Sequence, residues 1–398
     1  MKRRLAALIA SAAIAGCGSS NTGALQSLSS SPSQSTTATA AASPSTSAAA
    51  AGPASTTATA AAPAGPFGVM DGLVPGATQG PVKVSIVDIH GRVVASAQHA
   101  LRTDITIQGN IASPLPYISE SSTHVYFLDG DSTVRSLDLA GNVGTVGSIP
   151  GTRTAHAAFA VSPDDLRIAV SVIEYGTDPP TLHLLVQDLA GTNVREIFSS
   201  RSLFVWPVGW HAGKLVVASG WAFWNKPGFN LSGPVIEYHV VDPQTADRLA
   251  TLGSSTNCSI DSSVSRGGAV CNWFLLGCTG CVYAVDWSGK KIAFTEPSDA
   301  YYYTAALSPD GSRIVTVLEP RGDVTIISSP GLGSTSTRSS YVFVPGDHSR
   351  WIMGWFDDAH IVIGVGAEVQ IVEAARFDYH EVIQAPGRFV GPFPNDLG

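Results

Sequence analysis

Phe159-Ala-Val-Ser162-Pro163-Asp164-Asp165-Leu-Arg-Ile168 and Ala306-Leu-Ser308-Pro309-Asp310-Gly311-Ser-Arg-Ile314 are two copies of one pattern. Each reads as an apolar strand, a tight turn and a second apolar strand. Proline presets φ for the turn, and Asp and Gly suit its remaining positions. Weaker copies stand at Ser119-Glu120-Ser121-Ser122, Trp210-His211-Ala212-Gly213, Ser265-Arg266-Gly267-Gly268 and Trp355-Phe356-Asp357-Asp358. In each, a run of apolar residues follows. A second signature recurs further on in each unit. It reads Val87-Asp88-Ile-His-Gly91, Leu137-Asp138-Leu-Ala-Gly141, Gln187-Asp188-Leu-Ala-Gly191 and Val285-Asp286-Trp-Ser-Gly289, with Val241-Asp242-Pro243 as a variant. Here a third strand ends in Asp, a turn follows, and a fourth strand begins.

Four short antiparallel strands repeated every 40–50 residues or so predict an all-β fold, a single β-propeller built from four-stranded blades. The rest of the chain agrees. No segment sustains a 3.6-residue period. With 40 Gly, 25 Pro and only 14% charged residues, the composition excludes a coiled coil and argues against an all-helical fold. Six complete units fall at about 113–150, 154–200, 203–252, 257–296, 301–344 and 351–384. Val82–Ile86 and Arg92–Ala97 look like the last two strands of a unit missing its start, and Arg388–Phe393 is placed to supply a missing strand. Closure by strands from both ends leaves no open edge. This count favours seven blades, with six or eight as alternatives. The Ser-Pro-Asp-Gly turns resemble the WD40-like repeat of TolB-type and related bacterial propellers over most of Val82 to Gln384. TolB's extra α/β domain is not matched, so the resemblance implies the fold and not TolB's envelope role.

The first residues read as an address. Lys2-Arg3-Arg4 is a basic region, Leu5–Ala15 a short apolar one, and Ile14-Ala15-Gly16-Cys17 resembles the bacterial lipobox. That resemblance implies a signal peptide over 1–17 and lipidation at Cys17, which would anchor the protein to a membrane outside the cytoplasm, at the cell envelope. From Leu5 to Met70 there is no Asp, Glu, Lys or Arg. Residues 18–66 are almost all Ser, Thr, Ala, Pro and Gly, with Leu25 and Leu28 the only large apolar side chains. Such a segment cannot bury enough surface to offset chain entropy, so a disordered linker is expected, reaching roughly 40 Å as a coil. The propeller domain is expected over 67–398. It carries 20 of the 23 basic residues and all 31 acids, and the whole chain has net charge −8. That balance is poor for nucleic-acid binding. A monomer is expected.

Cys258, Cys271, Cys278 and Cys281 share one unit. An exported domain with an even count predicts structural disulfides. The alternatives are a four-Cys zinc site, for which Cys258 and Cys271 are wrongly spaced, and a redox Cys-x-x-Cys, which lacks a helix N-terminus. No metal and no cofactor is expected. Another unit carries Trp206 and Trp210, then an insertion containing Trp221, Phe223, Trp224, Asn225, Lys226, Phe229 and Asn230. Flat apolar faces beside amides suit a glycan or protein ligand; packing between blades would account for the same rings. Tyr301-Tyr302-Tyr303 reads as strand packing, and Asp129-Gly130-Asp131 as a strand-joining turn without the later ligands of a calcium loop. There is no Gly-x-Ser-x-Gly, His-Glu-x-x-His or phosphate-cradling glycine loop. The expectation is a non-catalytic binding or scaffolding module. The alternative is a propeller enzyme of glycosidase, lactonase or quinone-dependent dehydrogenase type, which would gather titratable side chains at the channel mouth. A purely structural envelope protein would show neither such a cluster nor an apolar patch.

Overall fold

The computed structural model describes residues 65–73, 81–103, 106–107, 110–111, 116–177, 179–221, 235, 237–253, 259–260, 264–272, 282–292, 301–319, 323–328, 338–341, 350–377, 379–394 and 397–398. All of them belong to the compact unit Ala60–Gly398. Among these residues the chain forms seven four-stranded antiparallel sheets and one small hairpin, β4–β5 (Thr106–Ile107 and Asn110–Ile111).

Blade 1 joins the two ends of the described chain. Its strands β1 (Phe67–Asp71), β2 (Val82–Asp88) and β3 (Val93–His99) are completed by β30 (Arg388–Phe393), in the order β3-β2-β1-β30. Blade 2 is β6–β9 (Ile118–Glu120, Val125–Asp129, Thr133–Leu137, Val143–Ser148) and blade 3 is β10–β13 (Ala155–Val161, Arg167–Glu174, Thr181–Asp188, Arg195–Ser200). Blade 4 is β14–β17 (Leu203–His211, Lys214–Trp221, Glu237–Val241, Arg248–Leu252) and blade 5 is β18–β21 (Ser259–Ile260, Ala269–Asn272, Val282–Val285, Lys291–Ile292). Blade 6 is β22–β25 (Tyr301–Leu307, Arg313–Glu319, Asp323–Ser328, Arg338–Tyr341) and blade 7 is β26–β29 (Arg350–Trp355, His360–Val365, Glu368–Glu373, His380–Val382). The expected propeller, the unit boundaries and the use of Arg388–Phe393 as a closing strand all agree with this topology. Strand β1 was not anticipated as the second strand of the closing blade.

The ring is continuous because apolar side chains are shared between neighbouring blades. Phe67, Val84, Phe127 and Phe159 join blades 1, 2 and 3, while Ile173, Trp210, Ala269 and Trp287 join blades 3, 4 and 5. Ala284 and Leu307 join blades 5 and 6, and Val315, Trp355 and Ile361 join 6 and 7. Met70, Phe356, Ile371 and Phe389 close the circle from 7 to 1.

The turn chemistry that marks the units also explains their geometry. Ser162 and Ser308 are buried; each donates its hydroxyl to the Asp two residues on, at 2.5 and 2.6 Å, and accepts the backbone N–H of Arg167 or Arg313 at 2.9 Å. The second signature works in the same way. The carboxylate of Asp88 accepts from the backbone of His90 and Arg92, and that of Asp286 from Ser288 and Lys290. Both turn types lie at the end of the ring where the innermost strands finish, and there they satisfy their own polar groups. The second strands end and the third strands begin at the opposite end.

Candidate functional site

The innermost strands β6, β10, β14, β18, β22, β26 and β30 surround a central channel containing a cavity of about 660 Å³. Its wall is largely apolar: Ile118, Val208, Leu307, Met353, Val390 and Pro392 contribute, with edges of Phe159, Trp355 and Phe389. Along β30 the alternation of a strand is visible. Arg388, Val390 and Pro392 are exposed or half-buried, whereas Phe389, Gly391 and Phe393 are buried between blades.

Charged groups collect at the two ends. Where the innermost strands finish, Glu120, Arg266, Asp357 and Asp358 line the cavity. The Asp357 carboxylate is occupied by the backbone N–H groups of Ala359 and His360, both at 2.7 Å, and by the His360 ring at 2.8 Å. Asp358 accepts the Asp310 N–H of the neighbouring blade at 2.8 Å. Past β30, Leu397 is buried against Gly209 of blade 4, and its carbonyl meets the Nδ1 of His211 at 2.6 Å. Leu397 is thus held by blade 4 at this end, whereas β30 belongs to blade 1.

Where the innermost strands begin, a buried polar cluster joins blades 1, 2 and 3. The register of β1 on β30 sets Asp71 opposite Arg388. The Asp71 side chain is 0% exposed and accepts from the Tyr117 hydroxyl at 2.7 Å, the Leu73 N–H at 3.0 Å and Arg388 Nε at 3.1 Å. Burial, reinforced by the neighbouring Asp71 carboxylate, pushes the Tyr117 hydroxyl pKa far up, so it remains a donor. Above the Tyr117 ring, 5.0 Å from its centroid, lies the Arg102 guanidinium, which donates to the Ala157 carbonyl of blade 3 at 2.7 Å. Burial pulls Arg102 down to about 10, which leaves it charged at neutral pH. His99 is buried against the rings of Tyr117 and Phe127, with centroids at 5.5 and 5.6 Å, and burial lowers its pKa.

Gly387 makes this arrangement possible. Its φ is +105°, and a Cβ there would lie 1.9 Å from the Asp71 carbonyl oxygen. Only glycine lets the chain approach so closely as it enters β30.

The outcome for Arg388 is specific. Its Nε is fixed by a buried carboxylate, its side chain is 59% exposed, and it lines the cavity. Among the described residues its two Nη groups have no partner. The arrangement can therefore hold an anion at one end of an apolar chamber.

Of the residues singled out from sequence, Cys17, Cys258, Cys278, Cys281, Phe223, Trp224, Asn225, Lys226, Phe229 and Asn230 lie outside the described residues. Trp221 is the last residue of β15 and pairs with Leu203, the first of β14. Strand β15 therefore ends at the end of the ring where the innermost strands begin, as does the Asp71–Arg388 pair. Cys271 is buried in β19, opposite Tyr283 of β20. Trp206 and Trp210 are buried in the shared core of blades 3, 4 and 5, where the packing explanation holds. The Asp129-Gly130-Asp131 segment is the turn from β7 to β8; its carboxylates accept the N–H groups of Ala100 and Thr103 and so pin the chain leaving blade 1. Among the described residues no group of His, Cys, Asp and Glu is placed to hold a metal. Sequence reasoning missed Asp71, His99, Arg102, Tyr117 and Arg388. They come from distant segments, and no local motif marks them.

No family model matches the chain, and no curated protein matches it. Among solved structures it is similar to an oligogalacturonate lyase in complex with manganese, with 13% identity over 72% of this chain and 80% of that one and a TM-score of 0.44. It is also similar to an acylaminoacyl peptidase in complex with a chloromethyl ketone, with 12% identity over 80% of this chain and 50% of that one and a TM-score of 0.49. A third is a protein from Lactobacillus plantarum, with 12% identity over 82% and 98% and a TM-score of 0.42. At such identities these likenesses carry no activity to this chain.

Proposed function

We infer that this protein is a lipid-anchored propeller of the cell envelope, held through Cys17 and the 18–66 segment, and that it is a non-catalytic binding module. The single observation that supports this reading is the channel. A chamber of about 660 Å³, mainly apolar and carrying a few placed polar groups, is what a small ligand needs. The enzymatic alternative draws on the Asp71, Tyr117, Arg102 and His99 cluster behind Arg388. However, Asp71 is fully buried and already accepts three donors, which suits it to positioning Arg388 rather than to exchanging protons. In the same reading the blade 5 cysteines are structural disulfides, as the burial of Cys271 supports.

Two experiments test the proposal. A thermal-shift screen of the full chain against apolar and amphiphilic small molecules should find ligands that raise the Tm, and Val390→Trp, which fills the channel, should abolish the shifts. Turnover of a glycoside, lactone or alcohol substrate by the purified chain would overturn the non-catalytic reading. Separately, Cys17→Ala should move the protein from the membrane to the soluble fraction; unchanged fractionation and mass would refute the anchor.

A further inference from the structure

We propose that the channel binds a carboxylate carried on an apolar body, with the carboxylate on Arg388 and the apolar part along Val390 and Pro392. This rests on the channel being the ligand site and adds the chemical class of the ligand. Three features support it. First, Arg388 is preorganised. Asp71 fixes Nε at 3.1 Å, and Asp71 is itself held by Tyr117 at 2.7 Å and Leu73 at 3.0 Å, so the guanidinium loses little freedom when an anion arrives. Second, among the described residues both Nη groups are without partners, and Arg388 lines the cavity, so a ligand oxygen pair can meet them side by side. Third, β30 carries the cation and the apolar wall on one face. Arg388, Val390 and Pro392 alternate toward the channel, so a ligand bound at Arg388 lies against Val390 and Pro392 next.

The far end explains why the anion belongs at Arg388. The carboxylates of Asp357 and Asp358 line that end beside Glu120, and together they outnumber Arg266. Arg266 is exposed and, among the described residues, no carboxylate fixes it. An amphiphilic anion is therefore favoured at one end of the chamber and disfavoured at the other, which orients it.

The test is isothermal titration of the full chain with decanoate, decanol and decylamine at equal ionic strength. Decanoate should bind with one site, at least tenfold more tightly than decanol, and decylamine should bind weakest. Arg388→Gln should erase the preference for decanoate over decanol while leaving decanol binding in place. Because that variant removes one partner of a buried carboxylate, its melting curve is recorded alongside; the wild-type ligand series decides the matter even if the variant does not fold. Decanoate and decanol binding equally would overturn the carboxylate assignment and leave the channel reading standing. No binding of any of the three would overturn both.

Discussion

The indole Nε1 of Trp355 donates to the carbonyl of Ala306, 2.9 Å away in the preceding blade. The same relationship holds between Trp210 and Ala160 at 3.2 Å. In both places an arginine five residues after the turn serine covers the ring: Arg313 lies 5.1 Å from the Trp355 centroid and Arg167 lies 4.8 Å from that of Trp210. The repeat that marks the blades in the sequence thus also rivets blade 3 to blade 4 and blade 6 to blade 7.

Trp355→Phe should therefore destabilise the protein by about 1–3 kcal/mol, because it strands a buried carbonyl while keeping most of the ring. Trp355→Ala should cost about 3–5 kcal/mol by adding a cavity. Urea unfolding measures both. If the Phe variant unfolds at the wild-type midpoint, the hydrogen bond contributes nothing.

Gly387→Ala should cost more than Gly366→Ala. Both glycines have positive φ, +105° and +59°, but a Cβ at Gly366 meets open space whereas one at Gly387 meets the Asp71 backbone. The second change carries only the left-handed strain, about 1–2 kcal/mol. The first must also move β30 relative to β1, so it should weaken ligand binding too. Paired melting curves and titrations check the order.

Stability should fall as pH drops below about 6.5. Burial lowers the pKa of His99 and of His239 from their ordinary value of 6.5, so the unfolded chain takes up protons before the folded one does. The stability present above 6.5 is lost progressively until the folded-state pKa values are reached. The Ala100 carbonyl, Asp71 and Asp129 favour the protonated His99 ring, and burial, aided by Arg102, outweighs them. His99→Phe should flatten part of the slope in unfolding experiments between pH 7 and pH 5.

The four blade 5 cysteines should show no free thiol on titration under denaturing conditions. Cys271 is buried on a strand facing its neighbours, where an accessible, reactive thiol is not expected. Zinc bound to four reduced cysteines would contradict this.

The blades were legible because their turns obey local rules. Ser162-Pro163-Asp164 and Asp286-Trp-Ser-Gly289 need particular side chains at fixed offsets, and those offsets survive in the sequence. Arg388–Phe393 was legible as an extra strand for the same reason, being left over once the units were counted. Strand β1 was not, because Phe67–Asp71 has no turn of its own and finds its innermost partner, β30, at the other end of the chain. The cluster that holds Arg388 was illegible for a related reason. Asp71, Arg102, Tyr117 and Arg388 meet only after the ring closes, so the chemistry of the site depends on contacts between positions as far apart as 71 and 388.

Hydrogen exchange of the full chain, with and without decanoate, tests ring closure and channel binding together. In the free protein the amides of β1 and β30 should exchange as slowly as those of the β10–β11 hairpin, since they pair across the closing blade. Decanoate should add protection in β30 and in the neighbouring innermost strands β6 and β26, and leave the outermost strands β9 and β13 unchanged. Rapid exchange in β30 would contradict the closed ring, and a pattern indifferent to decanoate would contradict a ligand in its channel.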